Sequence, residues 1–290
     1  MKVLMIGNSF SICVGKNLPA IVRAEGKHRL RLTSAYIGGC SLQTHAEHLA
    51  AAEKDRAFAP YRISVWDSGD LRKHASLPGN VLNVLKENTF DVVTLQQASP
   101  ASWDCGTYFP WAETVIKYVR KFNPGAKIMI QQTWSYRADS PRLAEWGFDN
   151  DEMFRRIVKA YDAFAARTGF GLIPTGRAVD ICRKKCGMTY KVLSEKQRAA
   201  YRFPDLPPAA ADVVGRDFWT KDEYGVMRLA KDAIHLNFRG EYLQACVWYG
   251  SLFDEDPRKI AFEPGNMGSD LCRFLRNCAF EALENKAKEL

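Results

Sequence analysis

Two residues far apart in this chain have the types that acyl transfer needs. Ser9, in Gly7-Asn8-Ser9-Phe10-Ser11, carries a hydroxyl; His235, in Asp232-Ala233-Ile234-His235-Leu236-Asn237, carries an imidazole with a carboxylate three residues before it. A serine hydroxyl is a weak nucleophile until a base takes its proton. An imidazole does this best when a carboxylate fixes its tautomer and stabilises the imidazolium that forms. Taken singly, Ser9 reads as a helix-capping or turn serine, and Asp-x-x-His reads as a structural histidine. The chemistry requires the fold to join them across more than 200 residues, and it requires neither cofactor nor metal.

Other reactive types are less organised. His45 and His48 lie three apart on an expected helix, a possible metal face, but without a third ligand they read as surface residues. Eight cysteines, at 13, 40, 105, 182, 186, 246, 272 and 278, lack the repeated C-x-x-C spacing of a zinc module and read as buried free thiols. Lys and Arg exceed Asp and Glu by 41 to 33, but the excess is scattered, so nucleic acid is not an expected partner. The group Arg183-Lys184-Lys185 sits where a helix should end.

The elements that must position Ser9 and His235 follow from alternation. Short apolar runs at Val3 to Ile6, Arg31 to Tyr36, Asp91 to Gln96, Lys127 to Gln132 and Gly171 to Pro174 predict strands. Helical patterns at Gly15 to Ala24, Leu42 to Lys54, Asn80 to Glu87, Trp111 to Phe122 and Asp151 to Thr168 fall between them, which predicts β-α-β units and a parallel sheet. Pro60 to Leu77 suggests an extra strand, and residues 187–230, with Pro204, Pro207 and Pro208, an irregular insertion that closes over the site. Helices are expected again at Asn237 to Leu252 and Asp270 to Lys286. One domain spanning 1–290 is expected, with 47% apolar and 26% charged residues supplying an ordinary globular balance.

Met1 to Ile6 is too short for a signal-peptide core and leads straight into the serine motif, so it reads as the first strand. No apolar run reaches the roughly 18 residues of a membrane span. The chain as it stands reads as cytoplasmic, or as periplasmic or secreted if an export signal has been removed ahead of Met1.

Four segments in order, Ile6-Gly7-Asn8-Ser9-Phe10-Ser11, Gly38-Gly39-Cys40-Ser41-Leu42, Val92 to Ser99, and Asp232 to Gly240, give a sequence that resembles the SGNH/GDSL hydrolases and, within them, the DUF4886-like group. The resemblance implies a three-layer α/β/α sandwich with a central parallel sheet, flavodoxin-like in outline. It implies Ser9 as nucleophile, Asp232 and His235 as its partners, and an oxyanion hole from the backbone N–H groups of Ser9 and Gly39, with Gly38 the alternative. Where the family's third block carries Gly-x-Asn-Asp, this chain has Gln96-Gln97-Ala98-Ser99; Gln97, or alternatively Gln96, is the expected third donor, because a glutamine amide can make the same hydrogen bond. Asn8 replaces the usual aspartate of the first block and joins Trp66, Trp103 and Trp134 as expected substrate contacts, the aromatic faces suiting a sugar ring.

The expected activity is hydrolysis of small acyl esters, acetyl above all, with acylated saccharides as a candidate substrate class. The alternatives are a saccharide-binding module without turnover and a lipase or thioesterase.

Overall fold

A computed structural model of the chain describes residues 1–72, 74–185, 190–207, 212–265 and 267–288. Cys186, Lys73 and the parts of the expected insertion at 187–189 and 208–211 lie outside the described residues. The first half runs β1 (Lys2–Gly7), α1 (Ser9–Ile12), α2 (Leu18–Glu25), β2 (Arg31–Tyr36), α3 (Leu42–Lys54), β3 (Tyr61–Asp67), β4 (His74–Gly79), α4 (Val81–Glu87), β5 (Val92–Leu95) and α5 (Trp111–Phe122). It continues with β6 (Lys127–Gln131), α6 (Pro141–Trp146), α7 (Asn150–Thr168), β7 (Gly171–Ile173), α8 (Thr175–Lys185), α9 (Glu195–Ala200), β8 (Val214–Lys221), β9 (Met227–Leu236), α10 (Phe238–Phe253) and α11 (Ser269–Lys288).

Seven strands form one sheet in the order β4-β3-β2-β1-β5-β6-β7. The five strands from β2 to β7 are parallel, as their apolar runs predict. The Pro60 to Leu77 region supplies two strands rather than one, and both are antiparallel, so the sheet is mostly rather than wholly parallel. Side chains of β1 alternate between the two faces, as a strand's period of two requires. Val3 and Met5 enter a core shared with α2, α7, α8, α10 and α11, whereas Leu4 and Ile6 enter a second core with α3, α4 and α5. The outcome is helix, sheet, helix.

Two departures bear on the site. The expected helix from Gly15 divides into a 3-10 turn at Cys13–Lys16 and α2, whose Pro19 sits in the first turn, where a missing N–H costs nothing. The region 187–230, expected to be irregular, holds α9, all of β8 and the beginning of β9. β8 and β9 pair as an antiparallel hairpin whose turn contains Gly225 at φ +77°. Most of its side chains are at least partly exposed on both faces, which is why apolar alternation does not reveal it.

Candidate active site

The register of the parallel strands decides what meets at one edge. Gly7 pairs with Tyr36, Ile6 with Leu95, and Leu95 with Ile130, so the segments leaving β1, β2, β5 and β6 emerge together. Ligands of open α/β sheets bind outside these carboxyl ends, at the point where the strand order reverses, and here that point is β1.

Ser9 opens α1 directly after β1. The turn is tight, since a Cβ on Gly7 would stand 2.5 Å from Ser11 Oγ. Asn8 caps the helix, its Oδ1 accepting from Phe10 N at 3.0 Å and from Gln96 Nε2 at 2.9 Å. Its Nδ2 donates to Cys40 O at 3.0 Å, tying the Gly38-Gly39 turn to the serine turn. The Phe10 carbonyl is held by two buried glutamines, Gln131 Nε2 at 2.6 Å and Gln244 Nε2 at 2.8 Å.

The opposite half of the site comes from the hairpin. Val214 pairs with Leu236 and Arg216 with Asp232, so Gly215 alone faces the three residues Ala233 to His235. That irregularity lets β9 curl at its end. Asp232 Oδ1 accepts from the backbone N–H groups of Ile234 and His235 at 2.9 and 3.0 Å, and its Oδ2 lies 2.8 Å from His235 Nδ1. His235 Nε2 lies 2.9 Å from Ser9 Oγ. The expected position for the pair was a loop or first helical turn; it is instead the bulged end of a strand, with α10 beginning at Phe238.

The curl is fixed from outside. Trp134 Nε1 donates to Ile234 O at 2.9 Å, and Arg137 N donates to Ala233 O at 2.9 Å. Asn237 donates from Nδ2 to Asp212 O and Gly215 O while its Oδ1 caps α10. Gly240 is required where α10 meets Val213, whose carbonyl would lie 2.3 Å from an added Cβ. Asp212 is paired with Arg183 at 3.0 Å, so Arg183, expected as a solvated helix-end cation, turns inward instead. Below the hairpin, Arg137 is buried between Asp139 at 2.7 Å and Asp217 at 3.5 Å.

Electrostatics suit a proton relay. Burial pushes the Asp232 carboxyl up, but the His235 ring and the two backbone N–H groups outweigh it and hold the group well below the usual carboxylate range. Cys13 faces the same cavity, yet burial pushes its thiol up to about 12, so at neutral pH it is a thiol and no rival nucleophile. Its Sγ sits 2.9 Å from Gln244 Oε1.

A cavity of about 520 Å³ opens beside Ser9 and His235. Trp66 lines it and lies close enough to Gly15 that a Cβ there would come within 2.5 Å of the indole. Three other expected contacts are corrected. Asn8 is 1% exposed, with its amide spent on the turn. Trp134 does emerge beside Ser9 but is fully buried, stacked on Phe10 at 4.1 Å. Trp103 packs among Trp146 and Phe148 rather than lining the cavity.

The third-donor expectation also needs correction. Gln97 Nε2 donates to Thr107 O and Oγ1, and its Oε1 accepts from Leu42 N and Ala98 N. Its alternative, Gln96, donates to Asn8 and is likewise buried. The two glutamines brace the walls; neither amide is directed to Ser9. Gly39 has φ +65° in an exposed turn, a conformation that favours glycine, with open space beyond it.

His45 is buried rather than on the surface. Its Nδ1 bonds Tyr61 OH at 2.9 Å, and burial lowers its pKa to about 3. Among the described residues no group of three His, Cys, Asp or Glu could hold a metal, and no helix is long and apolar enough to cross a membrane. The cavity residues that the sequence reading missed include the charged Lys16, Arg62, Arg216 and Glu241, which no local pattern announces.

A mostly parallel sheet between two helical layers, with a serine leaving its first strand, is the α/β fold of SGNH hydrolase structures. The chain belongs to the DUF4886 family, described as a domain of unknown function, whose model matches residues 2–202; Asp232 and His235 lie beyond the match. It is similar to the crystal structure of a DUF4886 family protein from Bacteroides uniformis, with a TM-score of 0.78 and 22% identity over 98% of this chain and 95% of that one. It is also similar to a protein from Slackia heliotrinireducens assigned to the SGNH hydrolases, with a TM-score of 0.50 and 20% identity over 87% and 98% of the two chains. No curated protein matches it.

Proposed function

We propose that the protein is a serine esterase that hydrolyses small acyl esters through an acyl-enzyme, with Ser9 as nucleophile, His235 as general base and acid, and Asp232 as the carboxylate behind it. The observation that carries this reading is the continuous line Ser9 Oγ to His235 Nε2 at 2.9 Å and His235 Nδ1 to Asp232 Oδ2 at 2.8 Å. His235 takes the hydroxyl proton as Ser9 attacks the ester carbon, and the ionised Asp232 stabilises the imidazolium. The proton then goes to the departing alcohol oxygen. Water, deprotonated by the same imidazole, attacks the acyl-enzyme and releases the acid.

Two backbone N–H groups are assigned to the oxyanion, those of Ser9 and Gly39. Ser9 N belongs to the first turn of a helix, where N–H groups have no intrahelical acceptor. Each well-placed donor lowers the barrier by roughly 3 kcal/mol. The volume and the mixed lining of the cavity, with Trp66 beside Arg62 and Ser64, favour a short acyl group on a polar alcohol such as a saccharide over a long acyl chain.

A fluorophosphonate probe and an assay with 4-nitrophenyl acetate test the reading. Covalent labelling at Ser9 and a loss of at least about 10⁴-fold in kcat for Ser9→Ala are expected. Equal turnover by wild type and Ser9→Ala, with no label, rules it out and leaves a binding module.

A further inference from the structure

Two arginines at the mouth of the cavity, both exposed, differ from the arginines that the fold buries. Arg137, Arg183 and Arg276 are each committed to a carboxylate, at 2.7, 3.0 and 3.2 Å. Arg62 and Arg216 line the cavity beside Ser9 and His235, yet among the described residues neither makes an ion pair. Each is instead held by an aromatic face. The Arg62 guanidinium lies 4.8 Å from the centroid of Tyr36, and that of Arg216 lies 5.5 Å from the centroid of Phe218. A guanidinium set over a ring in this way keeps N–H donors with which to meet an anion.

Their placement is built in. Arg62 pairs with Tyr36 at the carboxyl end of β2, the edge from which the Gly38-Gly39 turn leaves. Arg216 lies opposite Asp232 in the hairpin, next to the bulge at Gly215. One arginine thus comes from the β3 side of the cavity and the other from the β8 side, and Ser9 lines the same cavity. The acids of the same lining are already used: Asp232 by His235 at 2.8 Å, and Glu241 by Lys16 at 2.5 Å. Among the described residues, the two arginines of the lining remain without an ion-pair partner.

We infer that this cavity selects esters carrying a negative charge close to the scissile bond, such as an acylated saccharide with a carboxylate or sulfate group, and that Arg62 and Arg216 are the residues that read that charge. The inference rests on the esterase reading for its placement of the scissile bond, though not for the charge recognition itself. A neutral ester leaves both guanidinium groups to solvent; an anionic one offers them a charge-assisted acceptor.

Three matched substrates test it: acetylated methyl glucoside, the corresponding glucuronoside, and the corresponding glucoside 6-sulfate, followed by acetate release. The expected result is a kcat/KM at least about tenfold higher for an anionic ester than for the neutral one, with the advantage shrinking as ionic strength rises. A gain for the glucuronoside alone assigns a carboxylate; a gain for both assigns any oxyanion of this shape. Arg62→Gln and Arg216→Gln should each lower the anionic-to-neutral ratio several-fold, and Arg216→Lys should restore part of it. Equal use of all three esters, or a ratio that survives both Gln substitutions, overturns the inference. Should no Ser9-dependent turnover occur, calorimetry of the Ser9→Ala protein with methyl glucuronoside and methyl glucoside still decides the charge question. Tighter binding of the glucuronoside that is lost in Arg216→Gln supports it, and equal binding ends it.

Discussion

Gly215→Ala is the substitution that most directly connects backbone geometry to the chemistry. Gly215 has φ +85° and stands as the single residue opposite the curl that carries Asp232 and His235. A Cβ there would lie 2.8 Å from Asp232 O and 2.9 Å from both Cδ and Nε of Arg137. The left-handed backbone alone costs a non-glycine residue about 1–2 kcal/mol. Crowding against a backbone carbonyl and a buried guanidinium adds about 1–3 kcal/mol. A loss of roughly 2–5 kcal/mol in urea unfolding is therefore expected. The relief available is displacement of Asp232, and a shift of the order of 1 Å in a catalytic constellation costs about 10²-fold in rate. Gly225→Ala is the control: φ is +77°, but nothing lies within 4 Å of the added Cβ, so only the backbone cost applies. If Gly215→Ala matches Gly225→Ala in both stability and ester turnover, the bulge does not position the pair and the reasoning fails.

Asp232→Asn should keep the shape of the curl while removing the charge behind the imidazole, lowering kcat by about 10²–10⁴-fold with the far-ultraviolet circular dichroism unchanged. Gln97→Ala should destabilise by roughly 2–4 kcal/mol, because buried groups at Leu42, Ala98 and Thr107 lose their partner, while turnover by the folded protein falls less than tenfold. The reverse pattern, a rate loss of about 10²–10³ with stability intact, would return Gln97 to the oxyanion hole. Acid should weaken the fold through His45. Its folded pKa of about 3 lies below the unfolded value, so the unfolded chain binds the extra proton between the two and stability falls as pH drops through that window. From neutrality to pH near 4 the cost is roughly 3 kcal/mol, and His45→Gln should flatten that slope in urea titrations.

Much of this arrangement is legible in the chain itself. The five parallel strands are short, mostly apolar runs without a solvent-facing polar alternation, because a strand buried on both faces has no exposed side. Their order, with Ser9 following the first of them, places the hydroxyl at a ligand-binding edge before any coordinate is known. Asp232 and His235 are also visible as types and spacing, and the motif that follows contains the Asn237 and Gly240 that hold it.

Other features depend on who meets whom across the sheet, and no local pattern encodes that. Gln97 and Gln96 have the right chemistry for an oxyanion donor, but hydrogen bonding is decided by the nearest partner, and Thr107, Leu42 and Asn8 are nearer. Trp134 reaches the expected edge and is then covered, since Phe10 stacks on the face a sugar would need. The hairpin's amphipathic signal is absent because both its faces meet solvent over much of their length. The sequence determines which atoms are able to react and on which edge they stand. The tertiary structure alone determines their contacts, because hydrogen bonding and charge pairing act over a few ångströms between residues that are up to 236 positions apart.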